Sequence, residues 1–171
     1  AKFTRKTVGE AVSAAKGDRL IVDANNLKAD INVMAVSSNG GWGPSNKNDA
    51  DSADLINTLD NMIYNFKYPD KFVVVGVTTG GTGAWAQTDA ALKAKYGEHF
   101  LDVKGYLTNA DFLTENGVTL TDKDNEYLAQ GKIPPSLLNN SPTDDVHMND
   151  TGYALFAKCL YEKMQVLGYV E

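Results

Sequence analysis

Residues 71–77 read KFVVVGV, an almost unbroken apolar run built on three consecutive valines. A strand with one wet face alternates apolar and polar side chains. A run without alternation predicts a strand covered on both faces, as in the interior of a parallel sheet. Parallel neighbours need crossover connections, and the flanking sequence offers them. Upstream, residues 20–22 (LIV) and 31–36 (INVMAV) are short and rich in β-branched side chains, too short for a helix with a buried face, so both are expected as strands. Downstream, residues 99–103 (HFLDV) predict another strand. Between 31–36 and 71–77 a helix is expected from Ser52, with Leu55, Ile56, Leu59, Met62, Ile63 and Phe66 on one stripe and Pro69 as its stop. An Ala-rich helix is expected around residues 88–96. Strand, helix, strand, helix, strand implies an α/β sheet with right-handed crossovers.

The remaining segments are less regular. Val8, Ala11, Val12 and Ala15 predict a helix over residues 7–16, stopped by Gly17. Residues 37–51 carry the Gly, Asn, Ser and Asp of a loop, and residues 78–85 (TTGGTGAW) form a Gly-rich one. Residues 104–143 are expected to be mostly irregular, with one short helix near 122–130. A final helix over 151–167 should bury Tyr153, Phe156, Leu160, Met164 and Leu167. No repeat or linker divides the chain, so residues 1–171 are read as one domain, a length that can bury a core without staples.

Composition narrows the function. With 16 Lys and Arg against 22 Asp and Glu the formal net charge is −6, which argues against a nucleic-acid partner needing a basic face. No apolar run reaches the ~20 residues of a membrane-spanning helix, and a soluble chain is expected, of the virion or the extracellular space. The single Cys159 excludes an internal disulfide and a multi-cysteine zinc site. Clusters at 46–51 and 122–126 alternate oxygen donors but lack the Gly and distal Glu of a calcium loop, so no metal is expected. The chain opens at Ala1 rather than Met, which raises the expectation that upstream residues belong to the parent protein.

Two histidines are present. His99, beside Phe100 at the start of an expected strand, reads as a structural imidazole. His147 lies in Asp144-Asp145-Val146-His147-Met148-Asn149, just before the last helix. A carboxylate three residues ahead of a histidine on a tight turn can reach its Nδ1–H, fixing the tautomer and leaving Nε2 to take a proton. A loop histidine beside helix-capping aspartates has the same spacing.

The wider neighbourhood, Gln130-Gly131-Lys132-Ile133-Pro134-Pro135-Ser136-Leu137-Leu138 and then Asp144 through Asn149-Asp150-Thr151-Gly152-Tyr153, resembles the C-terminal block of the SGNH (GDSL-type) hydrolases. It is most similar to SGNH domains of phage tail and surface-degrading proteins. The resemblance implies a three-layer α/β/α fold of flavodoxin-like type with parallel strand order 2-1-3-4-5. It implies that Asp144 and His147 are acid and base of a triad. Asn39, after the strand at 31–36, matches the oxyanion-stabilising Asn of the family's third block, with Ser37 and Gly40 replacing the residues usual around it. Gly9, ahead of the first expected helix, matches the family's backbone donor to the same oxyanion. Trp42 and Trp85 fall where they could stack on a sugar ring.

The family's Gly-Asp-Ser nucleophile block is missing. The only Gly-Asp is Gly17-Asp18, followed by Arg19, and Ser13, Ser37, Ser38, Ser45, Ser52, Ser136 and Ser141 are not placed on a nucleophile turn. The first strand of the fold is therefore expected to be lacking, leaving the strand at 31–36 with an open edge. The expectation is an esterase, a deacetylase of a cell-surface glycan using no cofactor. Its serine and first strand would come from an upstream segment or a second chain, a homo-oligomer included. Two alternatives stand beside it. One is a non-catalytic structural or receptor-binding module on the same scaffold. The other is a dinucleotide binder using Gly81-Thr82-Gly83-Ala84-Trp85-Ala86, with Asp102 at the end of the next strand.

Overall fold

A computed structural model describes Gly9, Ser13 and residues 29–35, 49–78, 84–139 and 147–171. The expected strand at 20–22, most of the expected helix at 7–16 and most of the loop expected at 37–51 lie outside these residues, and the last three residues of that loop, 49–51, instead open the helix expected from Ser52. Gly9 and Ser13 are exposed and belong to no helix or strand, so the helix expected over 7–16 does not run through Ser13. Its apolar positions are small Ala and Val side chains, which offer little area to hold a short helix against a core.

Three parallel strands form the sheet, in the order β1 (Asn32–Met34), β2 (Phe72–Val75), β3 (Phe100–Leu101). Helix α1 (Asp49–Tyr64) joins the first pair and α2 (Ala84–Tyr96) the second. After β3 come α3 (Val103–Leu107), α4 (Ala110–Glu115), α5 (Asp122–Leu128), a 3-10 turn at Pro135–Leu137 and α6 (Asp150–Val166). This is an α/β fold.

β2 shows why its sequence does not alternate. Phe72 and Val74 face α1 and α2, packing with Met34, Leu55, Leu59, Leu92, Tyr96 and Phe100. Val73 and Val75 face the other way, into a core with Leu101, Leu107, Leu113, Leu137, Leu155 and Cys159. Both parities are buried, and each such Val or Leu contributes roughly 1.5–3 kcal/mol. Strands that step across a sheet in one direction, joined by crossovers of one hand, place both connecting helices on one face. α1 and α2 do so, which leaves the opposite face to α3 and α6.

α1 ends at Tyr64, five residues before Pro69, so the proline is not its stop. Asn65 and Phe66 close with tighter bonds to Met62 O and Ile63 O (both 3.0 Å). Met62, expected on the buried stripe, is 39% exposed, because Leu55 and Leu59 set the centre of the contact. α2 is clamped to α1 through Asp60, whose carboxylate takes the Tyr96 hydroxyl at 3.1 Å and Lys95 Nζ at 2.8 Å.

Residues 104–143 were expected to be mostly irregular, and the described part is largely short helices. Each begins on a side-chain cap: Asp102 accepts from Gly105 N, Asn109 from Phe112 N, and Thr121 forms a reciprocal capping box with Asp124. Helices of five to seven residues are too short to display a period. α6 buries Gly152, Leu155 and Cys159, and Phe156, Leu160, Met164 and Leu167 of the expected line are partly buried against the same core, whereas Tyr153 is 54% exposed. Gly152 sets this rotation. A Cβ there would run into Leu137 O and come within 2.9 Å of Met148 Cβ, so only glycine lets the helix start against the 3-10 turn.

The chain end is tied back to the sheet. The Tyr169 hydroxyl donates to Asp70 O (2.6 Å) and accepts from Phe72 N–H (3.3 Å). His99 stacks on the Phe72 ring at 4.3 Å, and its Nδ1 lies 3.0 Å from both Phe72 O and the Tyr169 hydroxyl. The carbonyl can only accept, so Nδ1 carries the proton in this arrangement. His99 is a structural imidazole at the amino end of the strands. No helix among the described residues is long and apolar enough to cross a membrane.

Candidate functional site

In open parallel sheets, ligands bind at the carboxyl ends of the strands. Here that edge comprises the ends of β1 and β3, residues 76–78 after β2, and whatever α6 brings to it. The direction of α6 follows from its far end. Lys163 Nζ donates to Glu98 O (3.1 Å) and Tyr169 reaches Asp70, both at the amino ends of the strands. α6 therefore runs antiparallel to β3, packing on β3 and α3, and starts at the carboxyl edge. His147 is exposed in the turn just before it.

Backbone pairing with residues 137–139 begins at the histidine carbonyl and runs on toward α6. Leu138 and Met148 form an antiparallel bridge. Asn139 N–H donates to His147 O and Asn149 N–H to Leu137 O, each at 3.0 Å. Asn149 then does three jobs with one side chain. Its Oδ1 caps α6 by accepting from Gly152 N–H (3.0 Å), and its Nδ2 donates to Ser136 O (2.9 Å) and Leu138 O (3.1 Å). The histidine is thus carried on a fixed backbone while its side chain meets solvent.

Behind the turn lies Asp124, a fully buried carboxylate. Its Oδ1 accepts from Ser136 N–H (2.9 Å). Oδ2 accepts from Thr121 N–H (2.8 Å) and from the hydroxyls of Thr121 and Ser136 (both 2.7 Å). Burial pushes the acid toward its neutral form, but these four donors outweigh it and hold the carboxyl down to about 2. A carboxylate that weakly basic cannot activate a hydroxyl, so the Asp124–Ser136 pair is not a nucleophile and its base. Of the other described serines, Ser13 is exposed outside any helix or strand and Ser52 lies within α1. The buried Cys159 thiol is pushed up to about 11 by burial and the nearby Glu162, which leaves it inert near neutral pH.

A second carboxylate stands at the end of β2. Asp89, on α2, accepts from Val77 N–H at 2.9 Å. Gly76 makes room for it, since a Cβ there would lie 2.9 Å from the Phe100 ring and 3.1 Å from Asp89 Oδ1. Burial first, and then the charge of Asp102, raise the Asp89 carboxyl to about 6, against the opposing pull of Val77 N–H and Lys104. A raised carboxyl favours the fold fully below pH ~4, and that contribution is lost as pH rises through about 6. Asp89→Asn keeps the acceptor for Val77. It is expected to match the parent at pH 4 and to exceed it by roughly 1–2 kcal/mol at pH 8. Urea titrations of both proteins at the two pH values test this; a gap independent of pH contradicts it.

Of the triad and oxyanion residues expected from sequence, His147 and Gly9 are described. Asp144, Asn39 and Trp42, and with them Gly81 and Gly83, lie outside the described residues. Trp85 lies on α2. Gly9 is exposed, and the residues directly after it lie outside the described ones. Asp102, considered as a ribose acceptor, caps α3 through Gly105 N–H at 2.8 Å. Sequence reasoning missed Asp124, Ser136 and Asn149 as one network. The spacing Thr121-x-x-Asp124, a capping box with Asp in the reciprocal place, was the available signal. Among the described residues, no three His, Cys, Asp or Glu side chains are grouped to hold a metal ion. No family model, no curated protein and no solved structure matches the chain.

Proposed function

We propose that this chain is the greater part of an SGNH-type serine ester hydrolase domain that removes acyl groups, acetyl above all, from a surface glycan. The observation that carries the reading is His147: exposed where backbone pairing with residues 137–139 begins, ahead of α6, at the carboxyl edge of a parallel sheet. In this reading a serine Oγ from another segment or chain attacks the ester carbonyl carbon. His147 Nε2 takes the hydroxyl proton and returns it to the leaving sugar oxygen. Water then releases the acyl group by the same route in reverse, and no cofactor is needed. Asp144 orients the imidazole, Asn39 and the Gly9 backbone hold the oxyanion, and Trp42 and Trp85 line the sugar site.

Two further features support it. The order β1-β2-β3, all parallel, equals the 3-4-5 part of a three-layer sheet ordered 2-1-3-4-5. Among the described residues nothing pairs with the outer edge of β1, where Val33 is 41% exposed and Asn32 Nδ2 is buried without a hydrogen-bond partner. An added strand would cover both. The test compares this chain with the full-length gene product, each treated with a fluorophosphonate probe and an acetylated glycan. The full-length product is expected to be labelled on a serine outside residues 1–171 and to release acetate. Labelling within 1–171 overturns the external nucleophile. A full-length product that releases nothing favours the non-catalytic surface module.

A further inference from the structure

We propose that Asp124 and Ser136 are positioning residues for His147, fixing the histidine turn from behind through a chain of hydrogen bonds. The catalytic part of this role rests on His147 acting as the base; the positioning itself does not. The chain has four links. Asp124 grips the Ser136 peptide and hydroxyl with both carboxylate oxygens. The Ser136 carbonyl receives Asn149 Nδ2. Asn149 N–H and Asn139 N–H close the two sides of the turn onto Leu137 O and His147 O. Gly152, packed on Leu137 O, seats α6 against the same 3-10 turn.

The arrangement explains a buried charge that packing alone does not require. Thr121 and Ser136 each place one hydroxyl on Asp124 Oδ2 at the same 2.7 Å, yet they come from separate segments, three and twelve residues away in the chain. Thr121 leads only into α5, whereas Ser136 leads to the histidine. An uncharged acceptor at position 124 could not hold four donors at once, and weaker bonds to Ser136 would let the turn move.

Thr121→Val and Ser136→Ala therefore form a pair, each deleting one hydroxyl from Oδ2, with Thr121→Val the harsher control because it also removes the cap on Asp124 N–H. In Ser136→Ala the Asn139 amide is expected to exchange with solvent about 10- to 100-fold faster, and the His147 ring signals to broaden. In Thr121→Val both should stay as in the parent, with His99 as the internal reference. Asn149→Asp keeps the α6 cap but removes both Nδ2 donors, and should reproduce the Ser136→Ala signature even if Ser136→Ala does not fold. Equal effects from the Thr121 and Ser136 variants, or an unchanged His147 in Asn149→Asp, overturn the proposal. In an active full-length product, Ser136→Ala should lower kcat while leaving KM within about twofold. A protein with no turnover but with the His147 signature refutes the enzyme reading and leaves the positioning intact.

Discussion

On the proposed esterase reading, replacing His147 by alanine in the active protein is expected to lower kcat for ester release about 10³- to 10⁶-fold. In the proposed mechanism the imidazole acts on a proton that is in flight only in the transition state, so its removal should fall on kcat and leave KM nearly unchanged. The fold should survive, because the bonds that hold the turn come from the backbone of residues 137, 139, 147 and 149 and from Asn149. A stability change within about 1 kcal/mol is expected for an exposed side chain of this kind. Kinetics on an acetylated glycan and a urea titration on the same preparation separate the two effects. Retention of more than a tenth of the activity would remove His147 from the mechanism.

Asp124→Ala carries the largest expected loss of stability, about 2–4 kcal/mol at pH 7. The carboxylate is fully buried and takes four donors, two of them from Ser136. Thr121 is exposed and its donors can turn to water, so the cost concentrates on Ser136. The pH dependence gives a second signature. A carboxyl held down to about 2 contributes stability above its ordinary value of 3.8, and that contribution is lost as pH falls through about 2. The gap between parent and variant should narrow by roughly 2 kcal/mol between pH 5 and pH 2. Asp89 acts in the opposite sense, losing its contribution as pH rises, which is why the two carboxylates can be told apart by titration alone. A gap that stays constant on acidification would mean that Asp124 does not bear its charge in the folded chain.

The strands and long helices were readable because each advertises its surroundings in a local pattern. KFVVVGV needs cover on both faces, and both faces are covered; Leu55 and Leu59, one turn apart, define the inner side of α1. The errors have one character. Met62 and Tyr153 were placed inward from periodicity, but a helix packed at one contact line leaves residues at the margin of its apolar arc in solvent. Within residues 104–139 the short helix expected near 122–130 is α5, while α3 and α4 stayed hidden because five or six residues give no period, and the caps at Asp102 and Asn109 were the evidence to weigh.

The site divides similarly. His147 stood out by residue type and by its place before a helix. Asp124 did not, since an acidic cluster at 122–126 reads as a solvated helix start, and its burial depends on Ser136 arriving from twelve residues further on.

By itself, then, the sequence determined which segments could be strands or long helices, and that a histidine would precede the last one. Only the tertiary structure decided that a carboxylate from α5 would be buried behind that histidine, and that Gly152 would seat α6 against the 3-10 turn. Periodicity is a property of one segment in contact with an averaged interior. A buried charge is held by donors from two separate segments, and nothing in either one alone specifies the meeting.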